Sequence, residues 1–142
     1  MKKIFLPLIL VFFAATVFSQ KVVSVKTKDP AILLSSVEAL KTASDDNIAI
    51  KVYKIANVSG SAHVLGTDEV SHRFLISVSS IDDAPEVHLY NVGDFYAPKI
   101  LGLTKVSKGV FKLSIEYDAP RRKWAEINIT LKNVTLINRN KR

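Results

Sequence analysis

The chain contains no cysteine. That excludes a disulfide framework, a thiolate metal site, a cysteine nucleophile and a lipid anchor built on cysteine. Glycine is scarce too, and its five copies stand singly, so no glycine-rich loop is present to cradle a phosphate. Histidine occurs three times, as His63, His72 and His88. His63 and His72 bracket Asp68 and Glu69. If Ala62 and Val64 point inward with Phe74 and Ile76, however, His63 faces out while His72 faces in, and zinc needs three or four converging ligands. No Asp-x-Asp spacing supports calcium. Serine is plentiful, but Gly-x-Ser-x-Gly, Ser-x-x-Lys and His-Glu-x-x-His are all missing. Glu86, Glu116 and Glu126 fall on expected strands, and nothing in their spacing makes two of them a catalytic pair. The residues therefore point to no catalytic group, metal or cofactor, and binding is the leading reading.

Long apolar runs are also lacking, with one exception. Lys2 and Lys3 precede the apolar stretch Ile4 to Phe18, and Val17 and Ser19 occupy the −3 and −1 positions before Gln20. This pattern predicts a signal peptide over 1–19 and export of a single domain, 20–142, to the periplasm or beyond. The run is shorter than the roughly 20 residues that span a bilayer, so no stable membrane anchor is expected.

Charge of one sign is scarce in each of two stretches. Between Asp29 and Pro98 there are four Lys/Arg against ten Asp/Glu, whereas Lys99 onward holds eleven Lys/Arg against three Asp/Glu. Such a division steers an anionic partner or favours self-association between unlike regions. Nucleic acid is not expected as a partner, because the cations are not interleaved with stacking aromatics.

What is present is alternation. Phe111, Leu113, Ile115 and Tyr117 share one parity, with Lys112, Ser114 and Glu116 on the other, the pattern of a half-buried strand. Ala125, Ile127, Ile129 and Leu131 repeat it along a second strand, read from Trp124 to Leu136. Between the two lies a basic turn, Asp118 to Lys123. Upstream, Ile48, Ile50 and Val52 alternate, as do Phe74, Ile76 and Val78, and Val87 and Leu89 oppose His88 and Tyr90. Ala62 to Leu65 and Ile100 to Val106 complete seven expected strands; Gln20 to Lys28 reads as an edge strand or leader. Asp29-Pro30 resembles a helix start, and Ile32, Leu33, Val37, Leu40 and Lys41 fall at helical spacing, which predicts one helix ending near Ala43 with Glu38 paired to Lys41. The sum is a mainly β chain: an antiparallel β-sandwich of about seven strands with one N-terminal helix, or alternatively a small β-barrel or an α+β sheet on that helix.

If consecutive strands are antiparallel, their connections alternate between two ends. Counting seven strands places Asp45, Asp46, the loop from Gly66 to Ser71, the loop from Gly93 to Pro98 and the turn from Asp118 to Lys123 at one end. Ser59, Ile81 to Pro85 and Lys108 fall at the other. The candidate binding residues at the first end are Phe95, Tyr96, Arg121, Arg122, Lys123 and Trp124, because loops on a rigid frame carry recognition and Trp, Tyr and Arg anchor interfaces. The partner expected there is a protein or an anionic glycan. A competing arrangement has Phe95 and Tyr96 closing the core and the cations pairing with Asp68, Glu69 and Asp94. Two further readings are a hydrolase or small-ligand carrier with a pocket lined by Phe74, Ile76, Tyr90 or Tyr117, and a self-assembling envelope protein.

Overall fold

The computed structural model describes residues 22–24, 37–57, 71–118 and 121–139. The expected signal peptide, the strand at Ala62 to Leu65, His63, Asp68 and Glu69 lie outside them. The described residues form nine strands: β1 (Val22–Ser24), β2 (Val37–Ser44), β3 (Ile48–Ala56), β4 (Ser71–Ser80), β5 (Val87–Tyr96), β6 (Lys99–Ser107), β7 (Val110–Tyr117), β8 (Lys123–Ile129) and β9 (Val134–Arg139). Sheet I has the order β1-β5-β4-β3-β2, and sheet II the order β6-β7-β8-β9. Every pairing is antiparallel. β2 touches β6 and β1 touches β9, so the sheets lie face to face as a β-sandwich.

The alternations read from the sequence build the interior. Ile48, Ile50, Val52, Phe74, Ile76, Val78, Val92 and Phe95 come inward from sheet I. Phe111, Leu113, Ile115, Tyr117, Ala125, Ile127, Ile129 and Val134 meet them from sheet II. Phe95 sits between Phe74, with ring centroids 5.5 Å apart, and Tyr117, at 5.0 Å and edge-on. Burying a Leu, Ile or Phe side chain contributes about 1.5–3 kcal/mol, so this shared apolar layer, without any cross-link, holds the sheets together.

Phe95 reaches the interior because of an extra residue. Opposite β4 the register passes from Phe74↔Val92 to His72↔Phe95, so Gly93 and Asp94 together oppose Arg73. Gly93 has φ +69, the left-handed conformation of a glycine-led bulge. The bulge shifts the parity of β5 by one, so that Val92 and Phe95 face the same side.

Three expectations need correction. The helix ending near Ala43 does not form over 37–43: Val37, Leu40 and Lys41 belong to β2, while 30–36 lie outside the described residues. β2 is an edge strand with a bulge between Val37 and Ala39, which breaks the two-residue period and leaves apolar residues at a spacing that mimics a helix. Pairing to β3 overrides that local pattern. Glu38 accordingly meets Lys54 and His72, not Lys41. Second, the strand read from Trp124 to Leu136 is two strands. Thr130 N–H donates to Asn133 O at 2.9 Å, and Asn133 N–H donates to Thr130 Oγ1 at 3.1 Å, closing a turn between β8 and β9.

Third, the two ends are composed differently from the seven-strand count. β3 and β4 pair with Ala56 opposite His72, so the chain leaves β3 and enters β4 at the same end. Asp45 and Asp46 therefore share an end with the β4–β5 turn, as Ile81 N–H donating to Asn47 O confirms. Asn57 joins the β5–β6 and β7–β8 connections at the other end. Counting a strand between β3 and β4 inverted everything before it.

Asp45 clasps the sheets at its end. Its Oδ1 accepts N–H bonds from Asn47 and Ile48. Its Oδ2 accepts one from Gly109, at 2.8 Å in the β6–β7 turn, and lies 3.2 Å from Lys105 Nζ. The Gly109 N–H, with those of Asn47 and Ile48, holds this carboxyl well below the ordinary carboxylate range. The β6–β7 turn thus lies under the β2–β3 turn, whereas at the other end Asp118 N–H donates to Tyr96 O of β5. That sideways drift of two or three strands over one strand length implies that the sheets cross at about 20–30°, the aligned sandwich geometry.

Candidate functional site

The sandwich end opposite the Asp45 clasp carries the basic hairpin, and backbone strain gathers there. Among the described residues, the non-glycine positions with positive φ are Ala97, at 43, and Asp118, at 69. Ala97 lies between β5 and β6, and Asp118 follows β7. The two connections are tied: Asp118 N–H donates to Tyr96 O at 2.8 Å, and Arg122 Nη1 donates to Ala97 O at 3.0 Å. Left-handed backbone costs roughly 1–2 kcal/mol outside glycine, less for Asp than for Ala, and persists only where the surroundings impose it.

The six candidate residues divide. Phe95 is fully buried and belongs to the core, so its ring is not presented at the surface. Tyr96 is half-buried at the rim, where burial and then the charges of Asp94 and Asp118 push its hydroxyl pKa up. Lys123 Nζ lies 2.5 Å from Asp118 Oδ2, and this hydrogen bond raises the ammonium pKa. Arg121 and Arg122 are exposed. A guanidinium has five N–H donors, so the one bond from Arg122 to Ala97 orients that side chain while leaving donors for a partner. Trp124, the second residue of β8, lies on the outer face of sheet II, opposite Glu116 on β7 and Arg139 on β9, and is 36% exposed. Tyr96, Arg121, Arg122, Lys123 and Trp124 thus belong to one end. Asp94 is not their counter-ion there: its Oδ1 accepts from Asn57 Nδ2 at 2.7 Å.

A polar cluster at the same end was missed by sequence reasoning. Glu38 Oε2 lies 3.0 Å from Lys54 Nζ and 2.8 Å from His72 Nε2. Partial burial pushes the Glu38 carboxyl up, but the bond from Lys54 and the His72 charge outweigh it and bring the pKa down. His72 Nδ1 is buried without a hydrogen-bond partner. The parity of His72 with Phe74 was a usable signal. Glu38 had none, because its position depends on the β2 bulge. Among the described residues no three His, Cys, Asp or Glu side chains converge as metal ligands.

The charge division of the sequence has become a division between sheets, because sheet I ends at Tyr96 and sheet II begins at Lys99. Over 99–139 nine Lys/Arg face three Asp/Glu, a surplus of six, whereas the described residues up to Tyr96 hold four against seven, a deficit of three. Phe74, Ile76 and Tyr117, suggested as pocket lining, are core residues, and Tyr90 packs on that core. No protein-family model, curated protein or solved structure matches the chain.

Proposed function

We propose that this chain is an exported binding module that engages an acidic protein surface through the end carrying Tyr96, Arg121, Arg122, Lys123 and Trp124. The observation that carries the reading is the pairing of exposed Arg121, Arg122 and Trp124 on a hairpin end fixed by the Arg122–Ala97 and Asp118–Tyr96 hydrogen bonds. Trp and Arg are the residue types that dominate interface energies, and a fixed turn spends little entropy on docking. An arginine fork is suited to a carboxylate. The sheet II surplus supplies long-range attraction for an acidic partner.

The test compares wild type with Arg121→Ala/Arg122→Ala/Trp124→Ala in capture of a partner from cell extract. Central anchors of this kind are worth about 2 kcal/mol each, so capture is expected to disappear while the unfolding midpoint stays near that of wild type. Undiminished capture by a folded triple variant would overturn the reading.

A further inference from the structure

We propose that the acidic partner of the basic hairpin end is the β4–β5 turn of a second copy of this chain, so that molecules join head to tail. The inference rests on the binding reading above and names its partner. Ile81 and Val87 bracket this turn and are 51% and 62% exposed, among the most exposed large apolar side chains described. Asp82, Asp83 and Glu86 lie between them, all exposed. The turn therefore offers apolar side chains beside carboxylates, the complement of Trp124 beside Arg121 and Arg122.

This turn is also set in shape before any contact. Ser80 N–H donates to Glu86 O at 3.0 Å, Glu86 N–H donates to Ser80 Oγ at 2.8 Å, and Ala84 N–H donates to Asp82 Oδ1 at 3.2 Å. Two ordered turns lose less freedom on meeting than two loose ones. Glu86 already holds His88 Nε2 at 2.8 Å, which leaves Asp82 and Asp83 as the principal acceptors for arginine. Lys108 and Lys132 occupy other turns of the acidic end, while Lys105 is engaged by Asp45.

The two surfaces stand at opposite ends of the sandwich, separated by strands of up to ten residues, or about 30 Å. One molecule cannot join its own ends, so the contact is between copies. It is heterologous, and repeating it extends a chain of molecules instead of closing a dimer. Contact through two turns lies at the small end of interface sizes, below about 1,200 Å², so association is weak, concentration-dependent and sensitive to salt.

Sedimentation velocity on the full chain tests this with charge-reversed variants. Wild type is expected to grow beyond dimer as concentration rises in about 0.1 M salt and to return to monomer in about 1 M, where the Debye length falls from about 10 to about 3 Å. Asp82→Lys/Asp83→Lys and Arg121→Glu/Arg122→Glu each leave like charges at both ends and should remain monomeric alone. Mixed in equal amounts they recreate opposite charges at every junction and should assemble again; circular dichroism checks that both are folded. Wild type that stays monomeric, or a mixture that does not assemble, overturns the proposal. If capture of a foreign partner then still needs Arg121, Arg122 and Trp124 but ignores Asp82→Lys/Asp83→Lys, the binding reading stands without self-assembly. If capture ignores both ends, the binding reading falls as well.

Discussion

At the residue scale, two backbone positions should respond in opposite directions to the same atom. A Cβ at Gly93 would stand 2.3 Å from the Phe95 ring on a backbone of φ +69. Gly93→Ala should therefore destabilise the fold by roughly 1–3 kcal/mol in urea unfolding. Ala97 already carries a Cβ at φ 43, so Ala97→Gly should raise stability by about 1 kcal/mol. Opposite signs would establish that both left-handed turns exist as described; equal signs would contradict it. Asp45 gives a pH signature. Its carboxyl pKa lies below the ordinary 3.8 because the charged form accepts backbone N–H bonds from Gly109, Asn47 and Ile48. A depressed folded pKa contributes stability that is present above the unfolded value and is lost as pH falls through the folded one. Unfolding midpoints of wild type should thus fall on acidification below about pH 4. Asp45→Asn should be less stable at pH 7 and show a shallower acid limb. Parallel pH curves for the two proteins would show that the clasp does not contribute.

At the element scale, the strongest check is parity within sheet II. Ile127 on β8 is fully buried, whereas Ile137 on neighbouring β9 is 39% exposed. Ile127→Ala should cost about 2–5 kcal/mol, and Ile137→Ala should change stability by no more than about 0.5 kcal/mol. Equal losses would mean that the register of β9 against β8 is wrong. The parity of β7 and β8 was legible in the sequence because both strands have one buried face and no bulge. Ile48 to Val52 of β3 and Ile76 to Ser79 of β4 were legible for the same reason, whereas Ile55 and Leu75 are buried on the opposite parity and broke the alternation. β9 was hidden because Val134 and Leu136 resume an apolar alternation, out of phase with Ala125 to Leu131, past a four-residue turn lacking glycine and proline. β2 was misread as helix because an edge strand has few buried positions to declare its period, and the Glu38 bulge disturbs those. The same bulge mechanism at Gly93 concealed that Phe95 is core: glycine suggested the end of a strand, whereas β5 bends and continues to Tyr96. Of the candidate site, the grouping of Tyr96 with Arg121 to Trp124 followed from counting strands after Ser71, where the count was right. The Glu38–Lys54–His72 cluster draws Glu38 and Lys54 from before that point, and pairing across the three strands β2, β3 and β4 decides it.

At the scale of the whole molecule, sequence order becomes electrostatics. Because each sheet is almost one continuous segment of chain, an acidic first segment and a basic second one produce a sandwich with unlike sheets. The basic hairpin then stands at one end and the Asp82–Asp83 turn at the other. The proposed binding end holds the one tryptophan of the sequence, which makes contact there directly observable. Trp124 emission should shift to the blue and become less accessible to acrylamide as an acidic partner, or rising concentration of the protein itself, occupies the hairpin end, and raising the salt should reverse both changes. Emission and quenching that stay the same while a partner is demonstrably bound would contradict the assignment of this end as the binding surface.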